Sequence, residues 1–135
     1  MPITEVRHLI QGEDDIVASR QRAREAARQL GFGAVDQSRI VTAVSELARN
    51  IVRYAVDGRG EVAIRELAAG RTGIEIVVSD AGPGISDVDQ ALQDGYTSGR
   101  GMGIGLPGTR RLMDEMSIDS AVGRGTIVTI RKWRR

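Results

Sequence analysis

The chain has 135 residues, 41% of them hydrophobic, and a formal net charge of +1, which fits one domain spanning residues 1–135 with a single core. Acids and bases are interspersed, no apolar run could span a bilayer, and the opening MPITEVRHL is too charged for a signal peptide; nucleic acid and membrane are therefore not expected partners, and a cytoplasmic location is. The absence of cysteine excludes disulfides and thiolate metal sites, and one histidine, His8, cannot make a three-histidine zinc centre. The only lysine, Lys132, lies in no GxxxxGK[ST] loop and no kinase-type strand setting, so any nucleotide must be held another way.

Residues 3–10 alternate loosely and predict a short strand, with His8 read as an exposed strand histidine. Residues 14–30 predict a helix. Ile16, Ala23, Ala27 and Leu30 share one stripe, Arg20, Arg24 and Arg28 lie opposite, and Gly31 closes it. Asp36 is suited to cap a second helix running to about residue 55, with Ile40, Val44, Leu47 and Ile51 as its buried seam. Gly58 and Gly60 read as the end of the connection that follows. Residues 61–67 and 73–79 predict paired strands about an Ala-Gly-Arg turn, the second (IEIVVS) apolar enough to be central. Residues 86–94 read as a short helical stretch and 95–101 as a polar, glycine-rich, mobile segment. Residues 106–116 predict a helix that tolerates Pro107 in its first turn. Residues 117–122 and 126–133 close a hairpin about Gly123, Arg124 and Gly125. Helices and strands segregate along the chain, which predicts an α+β, two-layer sandwich.

Three short stretches carry the chemistry. In SELARNIVRYA, Glu46 and Asn50 are one helical turn apart and project from the same side, at the flank of the buried seam. Asn50 offers a neutral oxygen to a cation such as Mg²⁺, which needs few protein ligands when phosphates supply the rest, and Glu46 can accept a proton beside it. The plainer alternative is a surface helix whose Glu46 pairs with a neighbour such as Arg49. In SDAGPGI, Asp80 precedes a turn bounded by Gly82 and Gly84, where a backbone can approach a ligand closely. A buried carboxylate there would accept from the exocyclic amine of adenine and reject guanine; alternatively Asp80 only holds its own Asx turn. Gly101, Gly103 and Gly105 lead into a helix, so that backbone amides and the helix N-terminus can converge on phosphate, with Arg100 to assist. The GxGxxG match starting at Gly103 lacks the preceding buried strand that a dinucleotide fingerprint requires.

The ELxxN helix, the DxGPGI turn and the GxGxGL segment, with the later Gly125-Thr126 pair, resemble the ordered boxes of the GHKL ATPase superfamily, which includes gyrase B, MutL and histidine-kinase catalytic domains. ARQLGFGAVDQSRIVTAVSELARNIVRYA and GLPGTRRLMDEM further resemble the RsbT-type switch kinases, the likeness running from about residue 16 to 133. The resemblance implies the Bergerat ATP-binding fold, a mainly antiparallel mixed sheet with helices on one face. It implies ATP and Mg²⁺ as cofactors, with Glu46 as general base, Asn50 as metal ligand and Asp80 as the adenine-reading acid. Gly82 and Gly84 would shape the adenine pocket, Gly101, Gly103 and Gly105 would line the phosphates, and Thr126 would support the adenine end.

By the same resemblance the chain is expected to be a serine/threonine-protein kinase that phosphorylates a STAS-domain regulatory partner, then engages a metal-dependent phosphatase in a bacterial stress or sigma-factor switch. No helix bearing a phospho-accepting histidine is present, which argues against a histidine kinase. Two alternatives remain open at this point: an anti-sigma factor kinase of the same fold, and a non-catalytic module that uses nucleotide as a conformational ligand.

Overall fold

In the computed structural model, which describes residues 5–54, 59–80, 105–121 and 125–135, the first described element is a strand, β1 (Val6–Ile10). Helix α1 (Glu13–Gln29) follows, its first turn filled by Glu13, Asp14 and Asp15, acids that suit the positive end of a helix. Asp15 also reaches back, its Oδ2 accepting the Gln11 N–H at 2.8 Å. The helix stops as its sequence dictates. Gly31 adopts φ +87°, its N–H bonds to the Arg28 carbonyl and the Phe32 N–H to that of Ala27, so the terminal carbonyls are satisfied and Phe32 is turned into the core.

Helix α2 (Ala34–Tyr54) starts earlier than expected. The Gly33 carbonyl accepts from Gln37, and Asp36 is not the cap; it lies in the first turn, where it pairs with Arg39. Strands β2 (Gly60–Ala68) and β3 (Thr72–Asp80) form a hairpin whose turn bonds Ala69 N–H to the Arg71 carbonyl about Gly70, at φ +77°. Asp80 is the last residue of β3 rather than the first residue beyond it. Helix α3 (Gly105–Leu112) is shorter than the predicted 106–116. Glu115 and Met116 belong instead to β4 (Glu115–Ala121), which pairs with β5 (Gly125–Trp133). The helical stretch expected at 86–94 and the glycine-rich segment at 95–101 lie outside the described residues.

Among the described residues five strands make one sheet in the order β1-β2-β3-β5-β4, every pairing antiparallel. Strand alternation divides its faces. Val62, Val78 and Val128 form one cross-strand row and Ile64, Ile76 and Ile130 the next, all buried beneath the helices. The seam Ile40, Val44, Leu47 and Ile51 of α2, with Ala23, Ala27 and Leu30 of α1, completes this core. His8 shares the inward row of Val62 and is not an exposed histidine. Its Nε2 sits 3.4 Å from Asp15 Oδ1, a close approach rather than a formed hydrogen bond.

On the opposite face Glu75 of the central strand is buried by its own partners. Arg65 Nε and Arg131 Nε reach its two oxygens at 2.5 and 2.8 Å. Burial alone would raise the Glu75 carboxyl, but the two guanidinium bonds outweigh it and hold the group below the ordinary carboxylate range. Among the described residues no helix is long and apolar enough to cross a membrane.

Candidate functional site

Because the α2 seam is buried, residues just off it are forced to the border between core and solvent. Glu46 and Asn50 both lie there, one turn apart. The Glu46 side chain is only 13% exposed, and Arg49 Nη1 donates to its Oε1 at 2.7 Å. The pairing expected of a plain helix surface is therefore present, but in a half-buried setting that holds the carboxylate in one place.

One row of the sheet links this helix to Asp80. Reading across the strands, Ile10, Gly60, Asp80, Thr126 and Ser120 are successive partners, and all share the helix-facing side. Gly60 stands between Ile10 and Asp80 for a steric reason. A Cβ there would lie 2.5 Å from the Ser79 carbonyl oxygen and 2.8 and 2.9 Å from Cδ1 and Cγ2 of Ile51. The missing side chain thus lets α2 settle onto the sheet beside Asp80, at the residue that follows Asn50. Asp80 and Thr126 are cross-strand partners, and the Thr126 hydroxyl lies 2.8 Å from that of Ser120.

A cavity of about 560 Å³ opens at this end of the sheet. Gly60, Asp80 and Thr126 of its lining belong to the helix side, whereas Leu9, Glu61, Ser79, Asp119 and Ile127 belong to the open face, so it wraps the sheet end and lies more on the open face than between the layers.

Gly105 begins α3 at φ +64°, a conformation glycine adopts without strain, and its carbonyl accepts from the fully buried Thr109 hydroxyl at 2.9 Å. The other end of α3 is gripped by Lys132, whose amine donates to the Leu112 carbonyl at 2.8 Å and lies 3.8 Å from Asp36 and 3.7 Å from Asp114. Burial would raise the Asp114 carboxyl, but the Trp133 N–H, Lys132 and Arg135 prevail and lower it. Of the nine residues singled out in the sequence, Glu46, Asn50, Asp80, Gly105 and Thr126 are described; Gly82, Gly84, Gly101 and Gly103 lie outside the described residues.

The donor set bears on which groups the site could hold. Among the described residues no three His, Cys, Asp or Glu side chains cluster to hold a metal ion. A cation here would therefore rely on one or two protein oxygens and the oxygens of its ligand, the manner in which Mg²⁺ is carried with a nucleotide. Asn50 suits that role. A carboxylate at a strand end, beside a glycine whose absent Cβ keeps the layers close, suits the amine edge of a flat base.

Gly60, Arg49, Ser120 and Lys132 were not singled out as site residues in the sequence. For Gly60 a signal existed, since counting outward equally from the Gly70 turn reaches Gly60 and Asp80 together.

A family model described as Histidine kinase-like ATPase domain matches residues 12–132. The chain is 50% identical over 127 residues to serine/threonine-protein kinase RsbT of Bacillus subtilis (strain 168), covering 93% of this chain and 94% of that protein. It is 33% identical over 98 residues to the anti-sigma F factor of Thermoanaerobacter sp. (strain X514), covering 70% and 68%. Among solved structures, the RsbU and RsbW domains of Rv1364c from Mycobacterium tuberculosis match with a TM-score of 0.70 at 24% identity, over 99% of this chain and 34% of that one. The mycobacterial sensor histidine kinase MprB matches with a TM-score of 0.60 at 21% identity, over 98% and 99%. These two likenesses concern the fold alone.

Proposed function

The chain belongs to the histidine kinase-like ATPase domain family and is a serine/threonine-protein kinase of that fold, and from that premise we propose that it is a partner-switching kinase whose substrate is a STAS-domain regulatory protein. The observation that carries the site assignment is the row in which Asp80 and Thr126 stand side by side, with α2 seated on Gly60 one residue beyond Asn50. In this reading Asp80 accepts from the exocyclic amine of adenine, Thr126 and the turn at Gly82 and Gly84 complete that end, and the amides of Gly101, Gly103 and Gly105 line the phosphates. Asn50 would hold Mg²⁺, which when bound neutralises phosphate charge.

Glu46 takes the proton of the attacking serine or threonine hydroxyl as its oxygen bonds to the γ-phosphorus and ADP leaves. Such transfer draws mostly on positioning, so a half-buried carboxylate held by Arg49 is suited to it. After transfer, release toward a metal-dependent phosphatase would complete the switch, in a cytoplasmic setting.

Incubation with Mg-ATP and a STAS-domain protein, followed by mass spectrometry, should show one added phosphate on a serine or threonine of the partner. Asp80→Asn should weaken ATP binding roughly tenfold in a folded protein, because it leaves a polar group wrongly paired once the base covers it. Unchanged affinity by calorimetry would reduce Asp80 to a turn residue. The identity to an anti-sigma F factor favours one second reading, a kinase that also sequesters a sigma factor. Retention of an RNA-polymerase sigma subunit in a pull-down would select that reading. If ATP is bound but no phosphate is transferred to any partner, a nucleotide-dependent binding module is the remaining account.

A further inference from the structure

Helix α3 is lightly anchored for an element that opens at Gly105, the last of the glycines assigned to the phosphates. Its buried residues are Pro107, Gly108 and Thr109, while Leu106 and Leu112 are only partly covered. Among the described elements only α2 packs broadly against it. Its 8 residues make about two turns, or ~12 Å of helix, so little apolar surface fixes its tilt. What secures its far end is polar. The Lys132 amine, on β5, donates to the Leu112 carbonyl at 2.8 Å, one of the last-turn carbonyls that a helix leaves without an internal partner. The same amine lies 3.8 Å from Asp36 in the first turn of α2 and 3.7 Å from Asp114, just beyond α3.

The composition of the chain marks this position. Of its 19 Lys and Arg side chains this one alone is lysine, and it is buried. A compact ammonium can face three acceptors from one point, whereas a guanidinium spreads its donors over a plane. A buried cation also keeps to its partners, because leaving them unpaired carries the cost of desolvation. Asp36 has Arg39 as a second partner, and Asp114 has the Trp133 N–H and Arg135. Both acids therefore stay paired without Lys132, and the bond lost with it is the one that holds α3.

We infer that Lys132 is a positioning residue for the phosphate half of the site: by tying the last turn of α3 to the first turn of α2, it keeps Gly105 in register with Glu46 and Asn50. This rests on the assignment of the glycine segment to the phosphates. Asp80 and Thr126 are fixed in the sheet, so a tilt of α3 moves Gly105 relative to Asn50 and leaves them in place. Loosening the tie separates the two ends of the nucleotide. The phosphate end loses its fit and the base end keeps it.

The test is calorimetric titration of ATP and of adenosine, which lacks the phosphates, with thermal unfolding to confirm the fold. Lys132→Met keeps the stem and loses the amine. Its adenosine affinity should match wild type while its ATP affinity falls roughly tenfold. Asp36→Asn weakens the same tie from the α2 side and should give a smaller loss of the same selectivity. The double variant should lose no more than Lys132→Met alone, since both substitutions act on one connection. Should Lys132→Met not fold, Asp36→Asn carries the same expectation.

An unchanged ratio of the two affinities in the folded variant overturns the inference. So does an equal loss for both ligands, which would mark Lys132 as a support of the fold as a whole. Adenosine binding as tightly as ATP in the wild type would sink the assignment of the glycine segment to the phosphates, and the inference with it, before any variant is made.

Discussion

Replacing Gly60 by alanine puts a methyl group where the fold has left none. The new carbon would stand 2.5 Å from the Ser79 carbonyl oxygen and 2.8 and 2.9 Å from two carbons of Ile51. Comfortable separations are about 3.5–4.0 Å, so the shortfall approaches 1 Å. Neither obstacle yields easily. Ser79 belongs to the β2–β3 ladder, and Ile51 is fully enclosed. Overpacking of this kind costs about 1–3 kcal/mol, and a backbone obstacle argues for the upper part of that range. At about 4 °C per kcal/mol for a domain of this size, Tm should fall by roughly 8–12 °C.

Either α2 lifts or the end of β3 moves, and both displace Asp80 from Asn50. ATP affinity should therefore drop roughly tenfold alongside stability. Ile51→Val, which removes Cδ1, should by itself destabilise by about 0.5–1.5 kcal/mol, yet cost less in the Gly60→Ala background because it relieves one of the contacts. It leaves the Ser79 carbonyl in place, so rescue should be partial. Thermal unfolding and calorimetry on the two singles and the double read this out. A Gly60→Ala protein with wild-type Tm and ATP affinity would refute the idea that this close approach sets the site.

Glu75→Gln should lower stability near neutral pH by about 1–2 kcal/mol, since Arg65 and Arg131 are partly solvated and lose less than a buried pair would. The Glu75 carboxyl is lowered in the fold, so its contribution is full above the ordinary carboxylate range and fades as pH falls through the folded value; denaturant curves of the two proteins should converge in acid. Glu46→Gln should leave Mg-ATP binding intact while phosphotransfer falls roughly 10²–10⁴-fold, and a wild-type rate would make the carboxylate structural. Asn50→Ala should weaken ATP binding only where Mg²⁺ is present, which paired titrations with and without the ion will reveal.

Much of the frame could be read in advance because it is written locally. The 3.6-residue spacing of Ile40, Val44, Leu47 and Ile51 needs no tertiary knowledge, and neither does Gly31 as a stop. Misreadings arose where distant pairing outweighed local preference. The run from Leu112 to Met116 has good helix formers, but Glu115 and Met116 find partners in Arg131 and Ile130, and the ladder prevails.

His8 was misjudged because Ile3 and Val6 blur the strand's phase. Ile10, fully buried, sets it, and His8 two residues earlier must face the same way. Asp36 looked like a cap because its type suits one, whereas its neighbour Lys132 arrives from the far end of the chain. The same holds for the site. Glu46, Asn50 and Asp80 stand out by residue type and spacing, while Gly60 matters only once register sets it beside Asp80.

Lys132 gives the molecule an unusual relation to chemical labels. It is the chain's sole lysine and its side chain is 4% exposed, so amine-directed reagents find almost no lysine amine to modify. Acylation at Lys132 requires the end of α3 to release its grip on the amine. The rate of that modification is consequently a clock for how often the amine leaves the Leu112 carbonyl, Asp36 and Asp114, read on the native protein without any introduced probe.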